Sequence, residues 1–201
     1  MRRVVVSAPA PDDLMDALWI STGIVALAEI GDKTQLLAIV LAARFRKPAP
    51  IILGILCATL LNHALAASVG YFLAQWLHGK TFQLLVGVGF IIMGRWALLP
   101  DKEDARGATV TGRSVFLTTL IAFFLVEIGD KTQIATSLLA ARFHDIVLVT
   151  VGTTLGMMAA NVPAVLFGEA VTRIVPLITV RIIAALLLWA TGAWIIVTAL
   201  L

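Results

Sequence analysis

The chain has 201 residues, of which 60% are apolar and only 13% charged, with 15 basic and 12 acidic side chains. Its mean hydropathy is +1.01. Soluble domains carry about 25% charged residues, so an ordinary water-soluble enzyme, a disordered chain and a coiled coil are all excluded. An integral membrane protein remains.

The first 17 residues hold Arg2 and Arg3 but only a short Val4–Val6 apolar patch. A signal peptide needs a longer apolar core, so this segment is expected to be a polar tail. Apolar stretches then follow at 18–43, 51–74, 81–99, 115–141, 146–168 and 177–200. Polar breaks separate them, the longest running from Pro100 to Arg113. Backbone polar groups cannot stay unpaired in lipid, and no alternating segments of β-barrel type occur. Six transmembrane helices are expected, in an all-α integral membrane protein. Cys57 is the one cysteine, so neither a disulfide nor a thiolate metal site is expected.

The chain repeats itself. A shift of 98 positions lays Glu29-Ile30-Gly31-Asp32-Lys33-Thr34-Gln35 onto Glu127-Ile128-Gly129-Asp130-Lys131-Thr132-Gln133 without a mismatch. The same shift matches Leu41-Ala42-Ala43-Arg44-Phe45 to Leu139-Ala140-Ala141-Arg142-Phe143, and pairs Gly54, Gly70, Gly94 and Trp96 with Gly152, Gly168, Gly192 and Trp194. The chain therefore reads as a tail (1–17), a three-helix repeat (18–99), a linker (100–114) and a second three-helix repeat (115–201). A half with an odd number of spans starts its successor on the opposite side, so the halves are expected to be inverted repeats, a plan common among secondary transporters. Arg2, Arg3, Lys80 and Arg142 fall on the side of the N-terminus. Arg44, Arg46, Lys47, Arg95, Lys102, Arg106, Arg113 and Arg173 fall on the other. The positive-inside rule then puts both termini outside and the central loop in the cytoplasm. The basic balance is assigned to this orientation, and no nucleic-acid partner is expected.

Both copies of the motif fall at the middle of their stretches, where each charge costs about 2.5 kcal/mol or more. On a continuous helix Glu29, Asp32 and Lys33 would share a face, as would Glu127, Asp130 and Lys131. Glu29 would pair with Lys33, and Glu127 with Lys131, at i,i+4. Thr34, Gln35, Thr132 and Gln133 would extend this polar surface, and Gly31 and Gly129 would let another backbone approach. If the halves pack around a pseudo-two-fold axis, four carboxylates and two ammonium groups share one volume with a formal charge of −2. One divalent cation would neutralise it. Hard oxygen ligands suit Ca²⁺, Mn²⁺ or Mg²⁺, and the motifs hold no Cys or His for zinc or copper. When the cation leaves, burial and crowding penalise the charged carboxylates, which makes protons the natural replacement. Glu29, Asp32, Glu127 and Asp130 are the candidate metal ligands, with Lys33, Thr34, Gln35, Lys131, Thr132 and Gln133 in support. Asn62 and Asn161, inside the second and fifth stretches, offer amide oxygens to the ion or hydrogen bonds between helices. Pro163 is a candidate hinge, and Gly152 and Gly156 form a helix-packing G-x-x-x-G.

Two E-x-G-D-K-T motifs in paired three-helix halves closely resemble the Gdt-type, transmembrane protein 165-like family of cation transporters, over essentially the whole chain beyond the tail. The resemblance implies transport of manganese or calcium in exchange for protons, with the motif acids Glu29, Asp32, Glu127 and Asp130 at the site. The compact form, without a long N-terminus or central loop, implies a bacterial inner-membrane exporter of Mn²⁺. The expected partners are divalent metal ions, protons and the lipid bilayer, with no resident cofactor. A Ca²⁺/H⁺ exchanger, a passive divalent-cation channel and an intramembrane hydrolase using paired carboxylates are the alternatives.

Overall fold

The computed structural model describes residues 11–77, 79–99, 114–168 and 177–201. These form eight α-helices: α1 (Pro11–Glu29), α2 (Lys33–Phe45), α3 (Pro48–Trp76), α4 (Lys80–Ala97), α5 (Val115–Glu127), α6 (Lys131–Phe143), α7 (Ile146–Phe167) and α8 (Leu177–Leu200). The fold is all-α, as expected. Helix α1 begins at Pro11, inside the segment expected to be a polar tail. The first ten residues, the central linker at 100–113 and the Glu169–Pro176 break lie outside the described residues.

Three helices, α3, α7 and α8, are long and apolar enough to cross a membrane, and α5 is a shorter apolar helix. Their surfaces point the same way. Leu61, Leu65, Val69 and Phe72 are exposed along α3, and Leu117, Ile121 and Leu125 along α5. Thr59, Asn62, His63, Thr118 and Thr119 on the same two helices are buried. An apolar outside around a polar interior is the arrangement lipid selects, because polar side chains there find partners only between helices.

The 18–43 and 115–141 stretches are not single helices. Each is interrupted inside the motif, between Glu29 and Lys33 and between Glu127 and Lys131. Gly31 and Gly129 take φ values of 79° and 77°, in the left-handed region that glycine alone enters without cost. Asp32 and Asp130 then start α2 and α6 as extended N-cap residues. The Gln35 and Gln133 side chains reach back to accept from the N–H groups of Gly31 and Gly129, at 2.9 and 2.8 Å. Each glutamine thus supplies the backward-reaching half of a capping box, one residue ahead of the N-cap. The expected continuous helix is therefore corrected, and so is the expected role of Gly129. Nothing lies within 4 Å of a Cβ built on Gly129; its function is the turn.

Close helix approach is assigned to other glycines, in contacts that recur at the 98-residue shift. A Cβ on Gly54 would meet the Phe116 carbonyl and the Thr119 side chain of α5, and one on Gly152 would meet the Leu18 carbonyl and the Ser21 side chain of α1. Gly94 lies against Ala185 and Trp189 of α8; Gly192 lies against Gly87 and Ile91 of α4. Trp189 Nε1–H donates to the Ile91 carbonyl at 3.0 Å, joining two residues 98 apart. Gly156 packs on Thr22 and Ala26 of α1, so Gly152 and Gly156 pack as expected. Gly70 and Gly168 diverge: the first lies against the Ser137 backbone, and the second caps α7 at φ 61°. Helix α7 runs unbroken through Pro163, so that residue breaks nothing here.

Candidate metal centre

The two helix breaks bring charges together where helical electrostatics oppose them. Glu29 and Glu127 are the last residues of α1 and α5, at the negative ends of those helices; Lys33 and Lys131 are the first of α2 and α6, at the positive ends. All four positions contradict the macrodipole preference. A local rule broken twice in the same way marks a functional site.

Glu29 and Glu127 are fully buried, and Asp130 is 4% exposed. One carboxylate oxygen from each of the three lies within 4.8 Å of the others. Thr34 Oγ1–H donates to Glu29 Oε2 at 2.5 Å, and Thr132 Oγ1–H to Glu127 Oε2 at 3.2 Å. Each threonine thus orients one oxygen of its own motif's glutamate. The other oxygens, Glu29 Oε1 and Glu127 Oε1, are buried without a hydrogen-bond partner. An unpaired buried carboxylate oxygen is too costly to leave unanswered. Two of them, carried by residues of one cluster of three acids, suit a hard divalent cation.

Lys33 Nζ lies 2.8 Å from Asp130 Oδ1. The expected i,i+4 pair with Glu29 is corrected: the helix break replaces it with an ion pair between the two halves. Asp130 also accepts from the Thr132 N–H and hydroxyl, at 3.3 and 3.1 Å. Asp32 makes no such cap, and Lys131 Nζ donates to the Leu99 carbonyl at 3.0 Å. The two aspartates, equivalent in sequence, thus cap their helices differently.

Of the four expected ligands, the structure gathers Glu29, Glu127 and Asp130. Asp32, 5% exposed, lines a neighbouring cavity together with Lys131 and Arg181. Gln35 links the break to α7 through Nε2–H to the Ala160 carbonyl at 3.0 Å, next to Asn161. Asn62 Nδ2–H donates to the Phe124 carbonyl at 3.2 Å, and Asn161 Nδ2–H to the Met157 carbonyl at 3.1 Å. Both asparagines are fully buried, and both amide oxygens lack a partner. At the outer ends of α2 and α6 the Arg44 and Arg142 guanidinium groups sit over the Phe45 and Phe143 rings, at 5.1 and 5.8 Å. Sequence reasoning missed Arg181, the one charge in the 177–200 stretch. Its isolation in an apolar helix was the available signal.

Comparison with known proteins bears on this geometry. A Vibrio cholerae serotype O1 protein, whose name proposes a manganese exporter, is 50% identical over 179 residues, covering 88% of this chain and 89% of its own. GDT1-like protein 3 of rice is 28% identical over 183 residues, which span 78% of this chain and 64% of that protein. A GDT1-like protein of Synechocystis is 26% identical over 194 residues, 85% of this chain and 93% of its own. No solved structure matches. The family described as divalent cation/proton antiporter GDT1 matches residues 17–105 and 115–201, one segment to each repeat. The chain belongs to the GDT1 family of divalent cation/proton antiporters.

Proposed function

We propose that this protein exports Mn²⁺ across a bacterial inner membrane in exchange for protons, binding the ion between the two broken motif helices. The observation that carries the proposal is the convergence of Glu29, Glu127 and Asp130, with two glutamate oxygens buried and unpartnered. Asp32 is the fourth acid of the site. Thr34 and Thr132 orient the glutamates, Gln35 and Gln133 hold the breaks, and Lys33 pairs with Asp130. Lys131, Asn62 and Asn161 complete the polar surround. The family is one of transporters and not of enzymes, which removes the intramembrane hydrolase.

Six spans follow when each broken pair, α1–α2 and α5–α6, is taken as one crossing. Helices α2 and α6 have 13 residues each, about 20 Å at 1.5 Å per residue, too short to cross a core of about 30 Å alone. Three crossings per half make the halves inverted. The paired contacts Gly54–α5 with Gly152–α1, and Gly94–α8 with Gly192–α4, support that relation. Broken helices meeting at mid-membrane are a recurring site architecture in transporters, because free helix ends present carbonyls and N–H groups to the cargo. Both termini are placed outside and the central loop in the cytoplasm, from the Lys and Arg distribution. Preference for Mn²⁺ over Ca²⁺ rests on the Vibrio relative, since oxygen donors serve both ions.

The test is transport in proteoliposomes containing the purified protein, with Mn²⁺, Ca²⁺ and Mg²⁺ offered in turn, with and without an imposed pH gradient. The expected result is Mn²⁺ accumulation that depends on the gradient and moves protons the other way. Downhill movement that ignores the gradient would mean a channel. A preference for Ca²⁺ would overturn the Mn²⁺ assignment, and no movement of any divalent ion would overturn the whole reading.

A further inference from the structure

Hydroxyls inside a membrane helix commonly donate to the carbonyl one turn back. Thr22, Thr118 and Thr153 do so, at 2.8, 2.9 and 2.8 Å. Their immediate neighbours Ser21, Thr119 and Thr154 do not: those hydroxyls are buried without a partner, as are those of Thr59 and Thr150. The same holds for the amide oxygens of Asn62 and Asn161 and for both ring nitrogens of His63. Among the described residues, all such atoms outside the motifs lie on α1, α3, α5 or α7, and none on α4 or α8.

They sort into two sets related by the 98-residue shift, which carries α1 and α3 onto α5 and α7, Ser21 onto Thr119 and His63 onto Asn161. On α7, Thr150, Thr154 and Asn161 fall within about 40° of one another and span about 16 Å. A Cβ on Gly152 would meet the Ser21 side chain, which places Ser21 level with the stretch between Thr150 and Thr154. This line ends at Asn161, beside the Ala160 carbonyl that holds Gln35 of the α1–α2 break. In the other set a Cβ on Gly54 would meet Thr119, and Thr59, Asn62 and His63 follow further along α3. That line ends where Asn62 holds the Phe124 carbonyl, shortly before Glu127 at the α5–α6 break. The contacts advance together along α1 and α7, and along α3 and α5, so each pair runs parallel from its helix starts toward a break.

We propose that these two lines are half-paths for ions, the α1–α7 seam serving one side of the membrane and the α3–α5 seam the other. This rests on the transporter reading above and on the inversion of the halves. A buried polar group without a partner is costly, and inside a membrane such groups mark the routes of ions and protons. A passing cation sheds part of its hydration shell, and hydroxyl, amide and imidazole groups free of other partners replace what it loses. Both seams are shut in this structure, since every member of both sets is buried. Gly152 and Gly156 close the first, and Gly54 the second. Glycine lets the backbones meet closely and interlocks few side chains, so a small separation admits water. Exchange requires that one seam open at a time. Helices α4 and α8, which pack together through Gly94, Gly192 and Trp189, take no part in the paths.

Two measurements on the full chain test this. In a Cys57→Ala background, which removes the one native thiol, Thr154→Cys and Thr59→Cys are compared with Leu155→Cys and Leu60→Cys at exposed neighbouring positions. Right-side-out and inside-out vesicles are treated with a charged, membrane-impermeant thiosulfonate. Thr154→Cys and Thr59→Cys are expected to react from opposite sides. Each should be at least about tenfold faster than its neighbour, because the reagent needs the thiolate and apolar surroundings suppress it. The second measurement is transport and thermal midpoint of valine variants, which keep the branched shape of threonine. Thr154→Val and Thr119→Val are expected to lower the maximal Mn²⁺ rate at least about fivefold, the equivalent of one net hydrogen bond lost on the path. Their thermal midpoints should hold or rise. Thr153→Val and Thr118→Val, which remove bonded hydroxyls, are expected to do the reverse, with a lower midpoint and a rate near wild type. Path variants that react no faster than their neighbours, or equally from both sides, overturn the proposal. So do valine variants that slow transport no more at Thr154 and Thr119 than at Thr153 and Thr118. Wild-type vesicles separate the two levels. If they move no Mn²⁺ the transporter reading fails; if they move it and the path variants behave as their neighbours do, only the half-paths fail.

Discussion

Glu127→Gln in proteoliposomes is expected to reduce divalent-cation transport by about a hundredfold or more, since even residues that only orient a metal ligand cost 10- to 100-fold in affinity. Glu29→Gln is expected to do the same. Both substitutions conserve shape, and the amide oxygen still accepts from Thr132 or Thr34, the bonds that hold each side chain now. Neither leaves a void. Each removes a buried charge whose second oxygen has no partner, so the folded protein is expected to be at least as stable as the wild type. Loss of function with retained or increased stability separates a ligand from a structural ion pair, since breaking a buried structural pair costs about 3–5 kcal/mol. Thermal midpoints in detergent, measured beside transport, give both readings. Full transport in either variant would remove that glutamate from the site.

Gly70→Ala is expected to be the most damaging single-methyl substitution to folding. The added Cβ would fall on the Ser137 carbonyl of α6, closer than any real contact allows. The obstacle is backbone, so α3 and α6 would have to separate. That would also strain the bond from Ser137 Oγ–H to the Ala66 carbonyl, now 2.8 Å. Overpacking costs about 1–3 kcal/mol and a lost hydrogen bond about 1 more. A clear drop in thermal midpoint and in yield of monodisperse protein is expected. Gly23→Ala is the control: nothing lies within 4 Å of its Cβ, and alanine is the better helix former by about 1 kcal/mol. Equal midpoints for Gly70→Ala and wild type would mean that α3 and α6 do not touch as described.

The sequence made the repeat legible because the 98-residue register is written in small residues at helix contacts. Gly54 and Gly152, and Gly94 and Gly192, are identical for a packing reason, and the structure shows the matching partners. It made the acids legible because lipid tolerates charge only where something answers it. The helix break went unread. In an apolar stretch, E-I-G-D-K-T-Q satisfies helical periodicity, and the i,i+4 pair of Glu29 and Lys33 looks favourable on a helix that does not continue. The opposing signal was present: Asp32 with Gln35, and Asp130 with Gln133, have capping-box spacing directly after a glycine. Two further features depend on tertiary packing that no local pattern carries. The Lys33–Asp130 pair joins residues of different halves, and Arg181 comes to line the cavity beside the α1–α2 break through the packing of α8 on α1.

The placement of the ion at the two helix breaks is tested most directly by Mn²⁺ binding to the purified protein, followed through the loss of the free ion's paramagnetic resonance signal on titration. A single saturable Mn²⁺ site per chain is expected in the wild type. It is expected to vanish in the Glu29→Gln/Glu127→Gln double variant while the variant's helical content and thermal midpoint hold. Saturable binding of undiminished affinity in that double variant would contradict the placement, since the ion would then be held elsewhere.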